Sequence, residues 1–139
     1  MTKIAYNQAD LRDHEGISAL VKNEEGKILM FFHNKIQKWT IPVGKVDEGE
    51  TPYESLVKEI AEEVDLTITS AELKEEFIQH FVREGKNVEI KQHLYDIKYI
   101  GEPKNNEPHK HRDLKFMSKE EIIKLPVISD ATEIALKHI

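Results

Sequence analysis

Apolar and polar residues follow two different rhythms along this chain. Gly16–Lys22 (GISALVK) and Lys27–His33 (KILMFFH) are apolar runs rich in strand formers, separated by the turn residues Asn23-Glu24-Glu25-Gly26. Together they predict a hairpin. Trp39–Val43 (WTIPV) predicts another short extended piece, which Pro42 confines to an edge or a strand end. From Thr51 to Val64 the rhythm becomes helical. Leu56, Val57, Ile60, Ala61 and Val64 form one apolar stripe. Thr51 is an N-cap, Pro52 suits the first helical position, Glu54 completes a capping box, and Asp65 ends the helix.

Beyond the helix, Leu73–Arg83 and Val88–Ile100 flank Glu84-Gly85-Lys86-Asn87 and predict a second hairpin. Gly101–His111, with Pro103 and Pro108, predicts a loop, and Leu114–Met117 a last strand. Ser118 opens a short helix with its own capping box, stopped near Pro126. Asp130–Ile139 predicts a C-terminal helix capped by Asp130, and residues 1 to 14 read as a polar lead-in. Strands on both sides of a central helix, with helices at the end, predict a mixed α/β or α+β sandwich.

Composition narrows the chemistry. The 139 residues amount to a single domain spanning 1–139, with 39% hydrophobic and 33% charged residues. No apolar run approaches the roughly 20 residues that cross a bilayer, and the first residues lack the apolar stretch of a secretory signal. The expectation is a cytoplasmic protein with no membrane partner. Cysteine is absent, so a metal must sit on carboxylates, carbonyls or histidines. A net charge of −6 argues against an extended nucleic-acid partner, which needs a basic face. An acidic protein acting on phosphates needs divalent cations between the two sets of charge.

The segment Gly44–Leu66 concentrates that chemistry. Glu59, Glu62 and Glu63 stand at i, i+3 and i+4, within an arc of about 100° on one helix face. Their mutual repulsion costs some tenths of a kcal/mol per pair, and a hard cation reverses its sign. Magnesium suits such carboxylates, because it takes oxygen ligands and keeps waters and phosphates in its shell. By itself the trio also reads as an ordinary solvated acidic face. The loop in front of it, Pro42-Val43-Gly44 and Gly49-Glu50-Thr51-Pro52, leads directly into a helix N-terminus, where backbone amides favour anions.

This segment resembles the signature of the Nudix (MutT-like) hydrolases, G-x5-E-x7-R-E-U-x-E-E-x-G-U with U aliphatic. Gly44 begins it, followed by Glu50, Lys58-Glu59, Ile60, Glu62-Glu63 and Leu66 without a gap. Lys58 stands where the family has arginine and Asp65 where it has glycine. Val43 replaces a glycine common in the lead-in, here Trp39-Thr-Ile-Pro-Val-Gly44. Lysine keeps the charge and loses the bidentate fork of arginine; aspartate tolerates the left-handed backbone of a helix end better than most residues.

The resemblance implies a Nudix-type α/β/α sandwich, a mixed sheet flanked by helices. It implies metal-dependent hydrolysis of a phosphoanhydride in a nucleoside diphosphate linked to another group, with Mg2+ or Mn2+ as cofactor. Glu59, Glu62, Glu63 and the Val43 carbonyl would be metal ligands, with Gly44 and Glu50 supporting them and Lys58 holding a glutamate in place. Glu59 is one candidate for the general base. Glu107 is the other, because Glu107-Pro108-His109-Lys110 resembles the E-P-x-K loop of MutT-like members. An ordinary charged loop fits the same residues. Lys110, His111 and Arg112 are candidate phosphate contacts, with solvated basic residues the plainer reading. Trp39 is a candidate base-stacking residue that also reads as core, as do Phe31, Phe32, Phe81 and Tyr95. The seven histidines are expected at the surface.

The expected substrate is a small nucleotide: a nucleoside triphosphate, a dinucleoside polyphosphate or an ADP-ribose type molecule, with a capped or triphosphorylated RNA end still open. The expected state is a monomer or homodimer. The competing expectation is a non-catalytic Nudix module that senses a nucleotide or binds a protein, supported by the three departures from the signature.

Overall fold

A computed structural model describes residues 15–83 and 85–139, apart from the side chains at positions 80–83, 86 and 88. The polar lead-in and the side chain of Phe81 lie outside the described residues. Among the described residues seven strands, β1 (Gly16–Leu20), β2 (Ile28–His33), β3 (Lys38–Thr40), β4 (Val43–Lys45), β5 (Thr67–Arg83), β6 (Lys86–Ile100) and β7 (His111–Met117), combine with three helices. These are α1 (Pro52–Val64), α2 (Lys119–Ile123) and α3 (Asp130–Leu136). The strands form two sheets, ordered β4-β1-β6-β5 and β3-β2-β7. β1 and β6 run parallel and the other pairings are antiparallel, so the first sheet is mixed. This is the mixed α/β (α+β) sandwich that the element order predicts.

The expected β1–β2 hairpin is corrected. Only its turn end forms: Lys22 bridges Ile28, the Leu29 amide donates to the Val21 carbonyl at 2.9 Å and the Asn23 amide to the Lys27 carbonyl at 3.0 Å, while β1 itself pairs with β4 and β6, and β2 with β3 and β7. Both strands are apolar on both faces. Ile17 and Ala19 enter one core with Leu29 and Phe31; Leu20 enters the other with Ile28 and Met30. A strand buried on both faces belongs inside a sheet, with a partner on each flank. The Trp39–Val43 piece is likewise divided, Trp39 in the second sheet and Val43 in the first, with the break at Ile41-Pro42.

The helices cover the two cores. Leu56, Ile60 and Val64 of α1 are fully buried with the first cluster, a contribution of about 1.5–3 kcal/mol each. Ala61, expected in the stripe, is exposed. Ile122 of α2 and Ala131 and Ala135 of α3 close the second cluster. Caps follow the sequence closely at α1 and α2, where Thr51 with Glu54 and Ser118 with Glu121 form complete capping boxes. At α3 the cap is Ser129, which accepts from the Thr132 amide, and Asp130 is the first helical residue. The β5–β6 hairpin is as expected, with β5 beginning earlier, at Thr67, and β6 at Lys86. β7 begins at His111, ahead of the Leu114 start read from the apolar run. No helix among the described residues is long and apolar enough to cross a membrane.

Candidate active site

The loop from β4 into α1 is held by side chains of α1 itself. Ser55 Oγ donates to Glu50 Oε1 at 2.6 Å and accepts from the Asp47 amide at 3.0 Å. Lys58 donates to Glu50 Oε2 at 3.0 Å and also pairs with Asp47. Both Glu50 oxygens are therefore occupied, and these bonds hold its carboxyl below the usual range, Ser55 contributing most and Lys58 next. The Lys58 ammonium is held above its usual range by the same partners, Asp47 first. The glutamate that Lys58 holds is Glu50, in the loop before α1. Asp47 and Ser55 were missed by sequence reasoning. Ser55 carries a signal in hindsight, as a small hydroxyl three residues before Lys58 and therefore on the same face.

Glu59 and Glu63 point the other way. Gly44 lies directly against Glu59, and a Cβ built on it would meet Glu59 Cγ at 2.8 Å. That position needs glycine because the carboxylate-bearing side chain fills the space. Glu63 is only 7% exposed, Glu59 half-buried and Glu62 exposed. The acidic face expected beside the apolar stripe is thus partly an interior face. Burial, reinforced by Glu62, Asp47 and Glu107, pushes the Glu59 carboxyl up to about 7. Burial, with Glu59 and Glu107 next, pushes Glu63 up as well.

Glu107 reaches this face because its loop is tied to the end of α1. The amides of Lys104 and Asn106 donate to the carbonyls of Val64 at 2.9 Å and Glu63 at 3.1 Å. Asn105 Oδ1 accepts from the Glu107 amide at 3.0 Å, and Lys110 pairs with Glu107 Oε2 at 3.3 Å. One oxygen each of Glu63 and Glu107 is buried without a hydrogen-bond partner. An orphaned buried polar atom costs about 1–3 kcal/mol, more when charged, and a divalent cation with its waters would relieve both. The donor set is all oxygen, which suits Mg2+ or Mn2+. Among the described residues no group of three or more acidic or histidine side chains is already arranged to hold an ion.

The remaining candidates are spread around this centre. Val43 is half-buried on β4 beside Gly44 and packs with the second core. Trp39 is half-buried and packs against that core, with Phe32 edge-on at 5.9 Å and the Lys115 ammonium 5.7 Å from its ring. The Arg112 guanidinium lies 4.5 Å above the Phe32 ring and donates to Asn34 Oδ1 at 3.2 Å. Lys110 is exposed and engaged by Glu107. Phe31 is core and Tyr95 packs against it.

The surface expectation for histidine is corrected at two positions. His93 is buried between Glu15, at 2.6 Å, and Glu76, at 2.7 Å. His111 is 1% exposed and stacked on Phe31 with centroids 3.9 Å apart. Burial drives its imidazole down to about 4, despite the opposing charge of Glu107. A separate open groove, bounded by Lys22, Asp96, Tyr99, Glu102 and Phe116, contains none of the signature carboxylates.

A two-sheet sandwich that presents a capped, glutamate-rich helix behind a glycine-containing loop defines a class of protein, the Nudix fold. The chain belongs to the NUDIX domain family, whose model matches residues 12–136. It is similar to an 8-oxo-dGTP diphosphatase of Haemophilus influenzae, 33% identical over 90 residues, 62% of this chain and 64% of that protein's length. In structure it resembles a MutT NUDIX hydrolase from Burkholderia pseudomallei, with a TM-score of 0.75 and 26% identity, covering 91% of this chain and 98% of that one. It also resembles a MutT protein from Bacillus halodurans, with a TM-score of 0.71 and 25% identity over 90% of this chain and 80% of that one. The likeness is to MutT-like members.

Proposed function

We propose that this protein is a divalent-cation-dependent hydrolase of small nucleotides, cutting a nucleoside triphosphate to the monophosphate and pyrophosphate. Water attacks a phosphorus of the chain, the phosphoanhydride P–O bond breaks, and the attacking water loses its proton to a carboxylate. The observation that carries the reading is the inward turn of Glu59 and Glu63 toward Gly44 and Glu107, with buried oxygens left unpartnered. The likeness to an 8-oxo-dGTP diphosphatase supports an oxidised purine nucleoside triphosphate as the first substrate to test.

Glu59, Glu62 and Glu63 would hold Mg2+ or Mn2+, with the Val43 carbonyl as a further oxygen. The bound cation would offset phosphate charge and lower the pKa of a coordinated water. Glu50, clamped by Ser55 and Lys58, keeps the loop and α1 in register. Glu59 is one candidate for the group that takes up the proton. Glu107 is the second candidate, brought in by its loop. Lys110, paired with Glu107, and Arg112 at the start of β7 would supply positive charge for the phosphates.

Monophosphate and pyrophosphate release across a panel of triphosphates, dinucleoside polyphosphates, ADP-ribose and capped RNA, with Mg2+ or Mn2+, tests this reading. The expected result is turnover of a triphosphate that Glu63→Gln lowers about a hundredfold or more. Nucleotide binding without product at any pH would instead favour a sensing module.

A further inference from the structure

His111 is the largest unexplained polar side chain near the carboxylates. Both of its ring nitrogens are buried without a hydrogen-bond partner. Its place is nonetheless tightly set. The ring lies flat on Phe31, 12° from parallel, and the backbone is paired in register with His33 on β2. Its amide donates to the Glu107 carbonyl at 3.2 Å, and its own carbonyl accepts from Asn105 Nδ2 at 2.8 Å. A ring fixed this firmly could as well have been phenylalanine, which leaves no polar atom stranded.

The opposite deficit stands four residues away. Glu107 Oε2 is paired with Lys110, while Glu107 Oε1 is buried and unpartnered. A neutral imidazole carries one N–H donor, and a carboxylate oxygen accepts it. We infer that His111 is the positioning residue of Glu107. As the loop closes on substrate, the His111 ring N–H donates to Oε1, while Lys110 keeps Oε2. Two donors, Lys110 from the loop and His111 from the start of β7, then fix the carboxylate plane, as outer hydrogen bonds do for working carboxylates elsewhere. Burial that keeps the ring neutral agrees with this role, since one nitrogen donates and the other stays free. Phe31 supplies the stop against which the ring rests.

The inference rests on the hydrolase reading for its kinetics and on the wild-type protein alone for its spectroscopy. In nitrogen-15 spectra of the wild type with Mg2+ and a non-hydrolysable triphosphate, His111 should show one protonated ring nitrogen whose proton shifts downfield. That shift should shrink in Glu107→Gln, whose neutral amide oxygen accepts more weakly than a carboxylate. In kinetics, His111→Phe keeps the stack and the volume. It should lower kcat about tenfold or more, with KM within about twofold and Tm unchanged or higher. Combined with Glu107→Gln it should cost little beyond the single Glu107→Gln variant. His111→Gln, which retains a donor, should recover part of the rate. Full kcat in His111→Phe, losses that multiply in the double variant, or a His111 signal indifferent to Glu107→Gln would overturn the assignment. If the wild type turns over nothing, the hydrolase reading fails, and the spectra still decide the His111–Glu107 contact.

Discussion

Glu63 pays in stability for its position. Its carboxyl is buried with one oxygen unpartnered and two like charges nearby, so the ionised form is disfavoured in the native state. The linkage sign follows from that direction. An unfolded glutamate titrates near 4.5, whereas Glu59 in the native state titrates near 7 and Glu63 above its ordinary value. Between those limits the native protein holds more protons than the unfolded chain, so these groups favour folding below about pH 4.5 and lose that contribution as pH rises through about 7. Glu63→Gln should therefore raise Tm at pH 8 in chelator, by the equivalent of about 1–3 kcal/mol. The gain should shrink toward pH 4.5, as thermal melts across the pH range would show. A variant that melts lower at pH 8 would mean Glu63 is already satisfied in the native state.

At the scale of elements, α1 shows how local rules and packing divide the work. Its start is complete, with Thr51, Pro52 and Glu54 in their expected places, and it ends on Asp65 with φ 61 in the left-handed region. That conformation costs a side-chain-bearing residue roughly 1–2 kcal/mol relative to glycine. Asp65→Gly should raise stability by about 0.5–1 kcal/mol, part of the relief being offset by a freer unfolded chain. Denaturant midpoints would measure it, and a loss of stability would show that the aspartate side chain does more at the cap than tolerate the backbone. The loop after β6 is the counterpart. Two amides from Lys104 and Asn106 close on carbonyls at the end of α1, so one contact both caps the helix and delivers Glu107.

For the whole molecule, the carboxylates of α1 and the Glu107 loop make folding and cation binding one equilibrium. A cation that binds only the native state stabilises it by RT ln(1 + [L]/Kd), and it must displace protons from Glu59 and Glu63 to do so. Millimolar Mg2+ should raise Tm, and the increase should grow from pH 5 to pH 8 as those carboxyls ionise. Differential scanning calorimetry with Mg2+ or Mn2+ against Ca2+-free, chelated protein measures it. A shift independent of pH, or one that survives Glu63→Gln unchanged, would place the cation elsewhere.

The amino-acid sequence by itself determined α1, its caps and the register of Gly44, Glu50, Lys58, Glu59, Glu62 and Glu63, because capping and the i, i+3, i+4 relation involve residues within a turn or two. It also determined the long β5–β6 hairpin and the loop that follows, through turn residues and prolines. Tertiary structure decided which sheet each of β1 to β4 would join, since strand partners depend on which faces the rest of the chain can bury. It also decided that Lys58 turns to Asp47 and Glu50, that Glu63 and His111 lie inside, and that Glu107 meets them from a distant loop. Those contacts join residues far apart in the chain, where burial and the satisfaction of polar groups outweigh any local preference.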